Sequence, residues 1–372
     1  MNRPAIEQSH SAGFKDSSQR DELLLSPATL NVLDRSNADT EVARAKKSKR
    51  IPALDFTKGA LVLIMVLYHW MNYFVTADGS IYKYLRFLTP SFIFITGFLI
   101  SQVSLSKYQA SGLHIPGRLL LRGVKLLGIV FILNIAISTV NLKGLQSRVT
   151  HRSPYDTVEA YLTGTAPVAF SVLVPIAYLL ILSAGLLVVS RRYRNIYHLT
   201  CGAFVACAFL LELQGINTGY LQIFSIGMLG VSVGYIPIGR INGLLKGRLG
   251  LCLAYLAYLF AITLWNDVYP LQIVGVCLSL AIIYRIGVEN ADSGHVSQVA
   301  ILLGQYSLFA YISQIVILQV LRRSLGFLGT GIGVSGAAFF ACVSCTILSV
   351  EVLDRARIRM AGLDKVYTAV FG

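Results

Sequence analysis

Apolar and polar positions alternate along this chain in long blocks rather than at helical or strand period within a mixed background. Apolar runs of about 17 to 25 residues, the length that crosses a bilayer as a helix, occur at 52–75, 84–105, 119–141, 168–190, 196–212, 218–238, 249–265, 270–287, 299–321 and 331–353. The fifth and eighth are short, with the least defined ends. This pattern predicts an all-α, polytopic integral membrane helix bundle of about ten transmembrane helices. Composition agrees, since 55% of the 372 residues are apolar and only 13% charged, where a soluble domain carries about 25% charged residues. The six cysteines all fall inside apolar runs, without a CxxC pair or a Cys/His cluster, and read as small packing residues rather than metal ligands or disulfides.

The formal charge of +14 changes the picture only through where it sits. Much of it lies in the first fifty residues and in alternate short connections, where Lys and Arg set topology, so nucleic acid is not the expected partner. Even-numbered connections carry Lys107 and Arg118, then Arg191, Arg192 and Arg194, then Arg240, Lys246 and Arg248, then Arg285. Odd-numbered connections are poorer, the ninth being the exception with Arg322 and Arg323. That asymmetry, with an even number of spans, places both termini in the cytoplasm. Residues 1–49 have no apolar stretch of a signal peptide and read as a disordered basic cytoplasmic tail. Residues 50–354 form the membrane domain and 355–372 a cytoplasmic C-terminal tail. The long outer connection, 142–167, contains Pro154 and Pro167 and reads as a loop with one short interfacial helix. No soluble catalytic domain is visible, so chemistry or transport is expected within the bundle.

The first run is the anomalous one. Asp55, Lys58 and His69 stand in or at the ends of a membrane-entering helix, where ionisable groups are costly unless they face protein or a wet cavity. The step from Lys58 to His69 is close to three full turns, so Asp55, Lys58, Val62, Met65, His69 and Asn72 share one stripe. Lys58 falls near the cytoplasmic interface and His69, about 16 Å further along the axis, beyond the midplane. A neutral imidazole there can take a proton from a hydroxyl, or simply pack and bond a carbonyl. Lys58 can snorkel to the interface, and Asp55, three residues earlier, can pair with it and hold the helix end.

Two further sites stand out. In the second span Thr96 and Gly97 interrupt an aromatic run, after Pro90, and admit either a neighbouring backbone or an acyl chain at close range. At the start of the third, Arg118, Arg122 and Lys125 lie on one helix face, able to grip phosphates or to anchor topology.

The stretch RIPALDFTKGALVLIMVLYHW, from Arg50, resembles the signature of the transmembrane acyltransferases of the acyltransferase-3 family, with the glucan succinyltransferase type and, more distantly, the lysosomal heparan glucosaminide acetyltransferases. Arg50, Leu54, Asp55, Lys58, Gly59 and His69 match that family's opening pattern position by position. Phe92, Phe94, Thr96, Gly97 and Phe98 resemble its second helix, although Thr96 replaces the usual serine. Arg118 and Arg122 are similar to an arginine pair opening its third helix, with one residue more between them. A late stretch from Leu303, LGQYSLFAYISQIVIL, resembles another family motif, with Gln314 where a histidine is common.

The resemblance implies an acyl-coenzyme A donor on the cytoplasmic side and an acceptor hydroxyl, usually on a sugar, reached from outside. On that basis the expected activity is O-acyl transfer, from acetyl-coenzyme A, to a cell-surface or lipid-linked glycan, in a bacterial inner (plasma) membrane. His69 would be the general base and Asp55 would tune the helix end. Lys58, Arg118 and Arg122 would hold donor phosphates, and Thr96 with Gly97 would line the thioester arm's passage. With Gln314 unable to act as acid or base, catalysis would rest on His69. No metal is expected; membrane lipids are partners, and a homo-oligomer stays open. Two rivals remain at this stage: a glycolipid or small-anion transporter or flippase with a proton relay, which should show a discontinuous helix or paired halves, and a non-catalytic membrane scaffold.

Overall fold

The computed structural model describes residues 51–75, 79–105, 114–140, 170, 172–190, 192–193, 195–216, 218–265, 268–290, 294–325 and 331–371. The tail expected at 1–49 and the outer loop expected at 142–167 lie outside the described residues. The first helix, α1 (Pro52–Trp70), opens with proline in its first turn, where a missing N–H leaves no bond unmade, and continues as a π-helical turn, Met71–Val75. Then follow α2 (Leu88–Leu99), α3 (His114–Val140), α4 (Leu173–Val189), α5 (Ile196–Leu213), α6 (Gly219–Val233) and α7 (Ile238–Leu244). The chain is completed by α8 (Arg248–Trp265), α9 (Tyr269–Asn290), α10 (Gly294–Gln305), α11 (Ser307–Leu325), α12 (Ile332–Arg359) and α13 (Ala361–Phe371).

Each of the ten apolar runs is helical. Among the described residues eight helices are long and apolar enough to cross a membrane, and α6 joined to α7 makes a ninth, bent by 104°. The fourth run gives the 17-residue α4. The protein is thus a polytopic helical membrane bundle. Two runs depart from the expected straight spans. The sixth ends at Val233, before Gly234 and Pro237, and the chain turns sharply into α7. The ninth, expected at 299–321, is interrupted at Tyr306. No proline marks that break; the Tyr306 hydroxyl donates to Asp354 Oδ1 at 2.6 Å and accepts from Arg357 Nη1 at 3.2 Å. Both partners lie on α12, so the interruption comes with long-range bonds that hydropathy cannot see.

The expected tail at 355–372 is largely helical as well. Residues 355–359 continue α12, and α13 is tied back by Arg357, whose Nε donates to Asp364 Oδ1 at 2.8 Å. Arg357 also lies over the Tyr367 ring, 4.1 Å from its centroid. The cysteines are a further correction: Cys201 and Cys342 are packed inside, whereas Cys207, Cys252 and Cys345 are exposed on the bundle's outer surface.

Burial sorts the spans into inner and outer. Half of the apolar window of α1 and 61% of that of α2 are buried, against 17% for α5 and 11% for α8. The helix with the ionisable stripe is therefore interior, packed against α2, α9, α10, α11 and α12, and α5 and α8 present apolar side chains to lipid. Lipid tails are as apolar as Leu, so close approach rather than water exclusion must hold the inner helices. Glycine supplies it at two crossings. A Cβ on Gly59 would meet the carbonyl of Ala300, and one on Gly304 would meet the carbonyl of Asp55. The second crossing joins α2 to α6, where a Cβ on Gly97 would meet the Gly227 carbonyl.

Gly59→Ala should therefore destabilise the protein by about 2 kcal/mol or more, because backbone cannot step aside for the new methyl. Gly336→Ala, on α12 with open space around it, should leave stability unchanged. Thermal unfolding of both variants in detergent checks the difference.

Candidate active site

The end of α1 is where the stripe opens into space. Met65, His69 and Asn72 line a cavity of about 330 Å³ together with Tyr68 and Tyr73 from the same segment. Asn72 and Tyr73 lie in the π turn Met71–Val75, a distortion common at functional sites. Thr89 of α2 and Val172 contribute another wall, and Tyr311, Ile315 and Arg322 of α11 the opposite one.

His69 is held by ring contacts, with centroids 5.5 Å from Tyr68 and 6.1 Å from Tyr311. Its Nε2 is buried and has no hydrogen-bond partner among the described residues. In either tautomer that nitrogen keeps an unspent hydrogen-bonding capacity, which is costly in an apolar interior and is met when a hydroxyl arrives. The alternative of a packing histidine bonded to a carbonyl through Nε2 is not what the structure contains.

The N-terminal end of the stripe is closed. Lys58 Nζ lies 2.6 Å from Asp55 Oδ1, with side-chain exposures of 19% and 11%. Neither lines the cavity at His69. Asp55 sits in the first turn of α1, where the helix dipole favours a negative charge. Arg118 and Arg122 stand exposed on α3, a helix whose main partner is α4, and Lys125 Nζ donates to the Ala369 carbonyl at 2.7 Å. Lys58 and the α3 arginines thus belong to different parts of the bundle.

Thr96 and Gly97 are not among the residues that line the cavity. The Thr96 hydroxyl donates to the Phe92 carbonyl in its own helix at 2.8 Å, and Gly97 is closed over by the α6 backbone. Of the two approaches that this small pair admits, the neighbouring backbone occupies Gly97, which leaves no lining role for it. Gln314 is completely buried and is not part of the cavity wall; both of its amide atoms lack partners among the described residues. A histidine at this position would not face the cavity in this arrangement.

Two segments that resemble family motifs, far apart in sequence, meet here twice. Gly304 packs on Asp55 and Gly59, and Tyr311 reaches His69. The model of the acyltransferase-3 family, described as an acyltransferase domain, matches residues 51–353. The chain belongs to the acyltransferase-3 family. No curated protein and no solved structure matches it. As a member of that family with spanning helices throughout the matched segment, the protein is a membrane acyltransferase.

Sequence reasoning missed most of the cavity wall: Tyr68, Tyr73, Thr89, Val172, Ile315 and Arg322. A signal existed on α11, since Tyr311, Ile315 and Arg322 are four and seven residues apart and so share a face. Thr89 and Val172 carried no comparable signal.

The Asp55–Lys58 pair separates structure from chemistry by mutation. Lys58→Met leaves a buried carboxylate without its cation and should cost about 2–3 kcal/mol, somewhat below a fully buried case because both groups retain some exposure. Asp55→Asn combined with Lys58→Met should recover most of that loss. Unfolding midpoints of the single and double variants test this.

Proposed function

We propose that this family member transfers an acyl group, acetyl in the simplest case, from acyl-coenzyme A on the cytoplasmic side to a hydroxyl of a cell-surface or lipid-linked glycan. One observation carries the reading: an unpartnered, buried imidazole nitrogen at the wall of a cavity large enough for one sugar unit. Tyr68, Tyr73 and Tyr311 give that cavity amphipathic aromatic faces of the kind that pack on sugar rings, and Asn72 and Thr89 add hydrogen-bonding groups.

In the proposed step His69 Nε2 accepts the proton of the acceptor hydroxyl as its oxygen attacks the thioester carbonyl. A carbon–oxygen ester bond forms, the carbon–sulfur bond breaks, and the proton passes to the departing coenzyme A thiolate. Nε2, buried at the cavity wall without a partner among the described residues, is the atom placed to take that proton. Donor phosphates would be met by Arg118 and Arg122, which are exposed as such a role requires, with Lys58 entering only by leaving Asp55. The basic even-numbered connections support a cytoplasmic donor side and both termini there, and a bacterial plasma membrane fits that topology.

The 104° bend between α6 and α7 is the discontinuous helix that a transporter would need. The family match, however, favours group transfer over carriage.

His69→Ala should lower label transfer from radiolabelled acetyl-coenzyme A to a glycan acceptor by about 10²–10⁴-fold, with membrane insertion unchanged. Transfer at the unsubstituted rate would remove His69 from the mechanism. Arg118→Gln should raise the KM for the donor and spare kcat; an unchanged KM would return Arg118 to a topology role.

A further inference from the structure

Among the described residues, Arg322 is the one full charge on the cavity wall. It belongs to the connection that departs from the charge asymmetry of the chain, so topology does not account for it. It makes no ion pair among the described residues, and its guanidinium faces the Tyr73 ring, 5.6 Å from the centroid. A cation–π contact orients an arginine without consuming its donors, since the ring takes the flat face and leaves the five N–H groups at the edge. That edge suits the two oxygens of a carboxylate or phosphate.

Position adds to the chemistry. Tyr311 touches His69 at one end of the cavity, and Ile315 and Arg322 follow on the same face of α11 toward its other end. Tyr73, which Arg322 faces, lies about one helical turn beyond His69. A ligand anchored by an oxyanion at Arg322 would lie in the same cavity as His69, where a hydroxyl on that ring or on its neighbour can meet the imidazole. We infer that the acceptor site selects anionic sugars, with Arg322 binding a carboxylate or phosphate carried on the ring whose hydroxyl is acylated, or on its immediate neighbour. This rests on the proposed function for the word acceptor; the oxyanion site itself does not.

Full-length protein in nanodiscs is titrated with glucuronate, glucose 1-phosphate and glucose, read by ligand-observed NMR, in parallel with label transfer from acetyl-coenzyme A. At least one anionic probe should bind about tenfold or more tightly than glucose, the scale of one charge-assisted hydrogen-bonded contact. The preference should vanish in Arg322→Gln, survive in part in Arg322→Lys, and persist in Arg323→Gln, whose side chain is outside the cavity wall. The ratio of the two anionic probes identifies carboxylate or phosphate as the ligand. Equal binding of glucose, no binding of any probe, or a preference that survives Arg322→Gln overturns the inference. Should Arg322→Gln fail to fold, a reduced preference in Arg322→Lys, against its full retention in Arg323→Gln, supports the site, and an undiminished preference in Arg322→Lys overturns it. Absence of label transfer with the binding preference intact contradicts the proposed function and leaves the oxyanion site standing.

Discussion

An ionised side chain at the centre of a bilayer costs about 3 kcal/mol or more, and α1 carries Asp55, Lys58 and His69 within one stripe. The remaining helices answer that cost. They surround α1, bring α10 onto it at a glycine crossing, and leave the outer positions to helices such as α5 and α8 whose windows are almost wholly apolar and exposed. Inside the ring the three ionisable groups are treated differently. The Asp55–Lys58 pair neutralises itself near one end, while His69, uncharged when neutral, stands beside the cavity with a free nitrogen.

The spans, the interior placement of the stripe and the family were readable from the chain because each depends on local pattern. Twenty apolar residues have one economical solution in lipid, and a signature of the form Leu54, Asp55, Lys58, Gly59, His69 is contiguous. What escaped depends on distance across the fold. The break at Tyr306 lies where Asp354 and Arg357, some fifty residues later, bond its hydroxyl. Gly97 looked equally suited to an acyl chain and a backbone, and only the position of Gly227 on α6 decides between them. The cavity wall escaped for the same reason: Thr89, Val172 and Arg322 are ordinary residues of their own segments until α1 is placed between them.

The Asp55–Lys58 pair lies at one end of α1, and the cavity with His69 lies about 16 Å further along the axis. The glycine crossing of Gly59 and Gly304 fixes α10 against α1, and α11 follows directly, so the same contact that closes the bundle also sets Tyr311 beside His69. Stability and site geometry are coupled through that crossing, and a change there should reach the cavity without touching it.

In the proposed function His69 joins a donor on the cytoplasmic face to an acceptor on the other within one protein. Uniformly oriented proteoliposomes test it most directly, with labelled acetyl-coenzyme A supplied only to the face bearing Arg118 and glycan only to the opposite face. The account predicts label on the glycan in that arrangement, and none with His69→Ala. Label that appears only when donor and glycan share one face would contradict it.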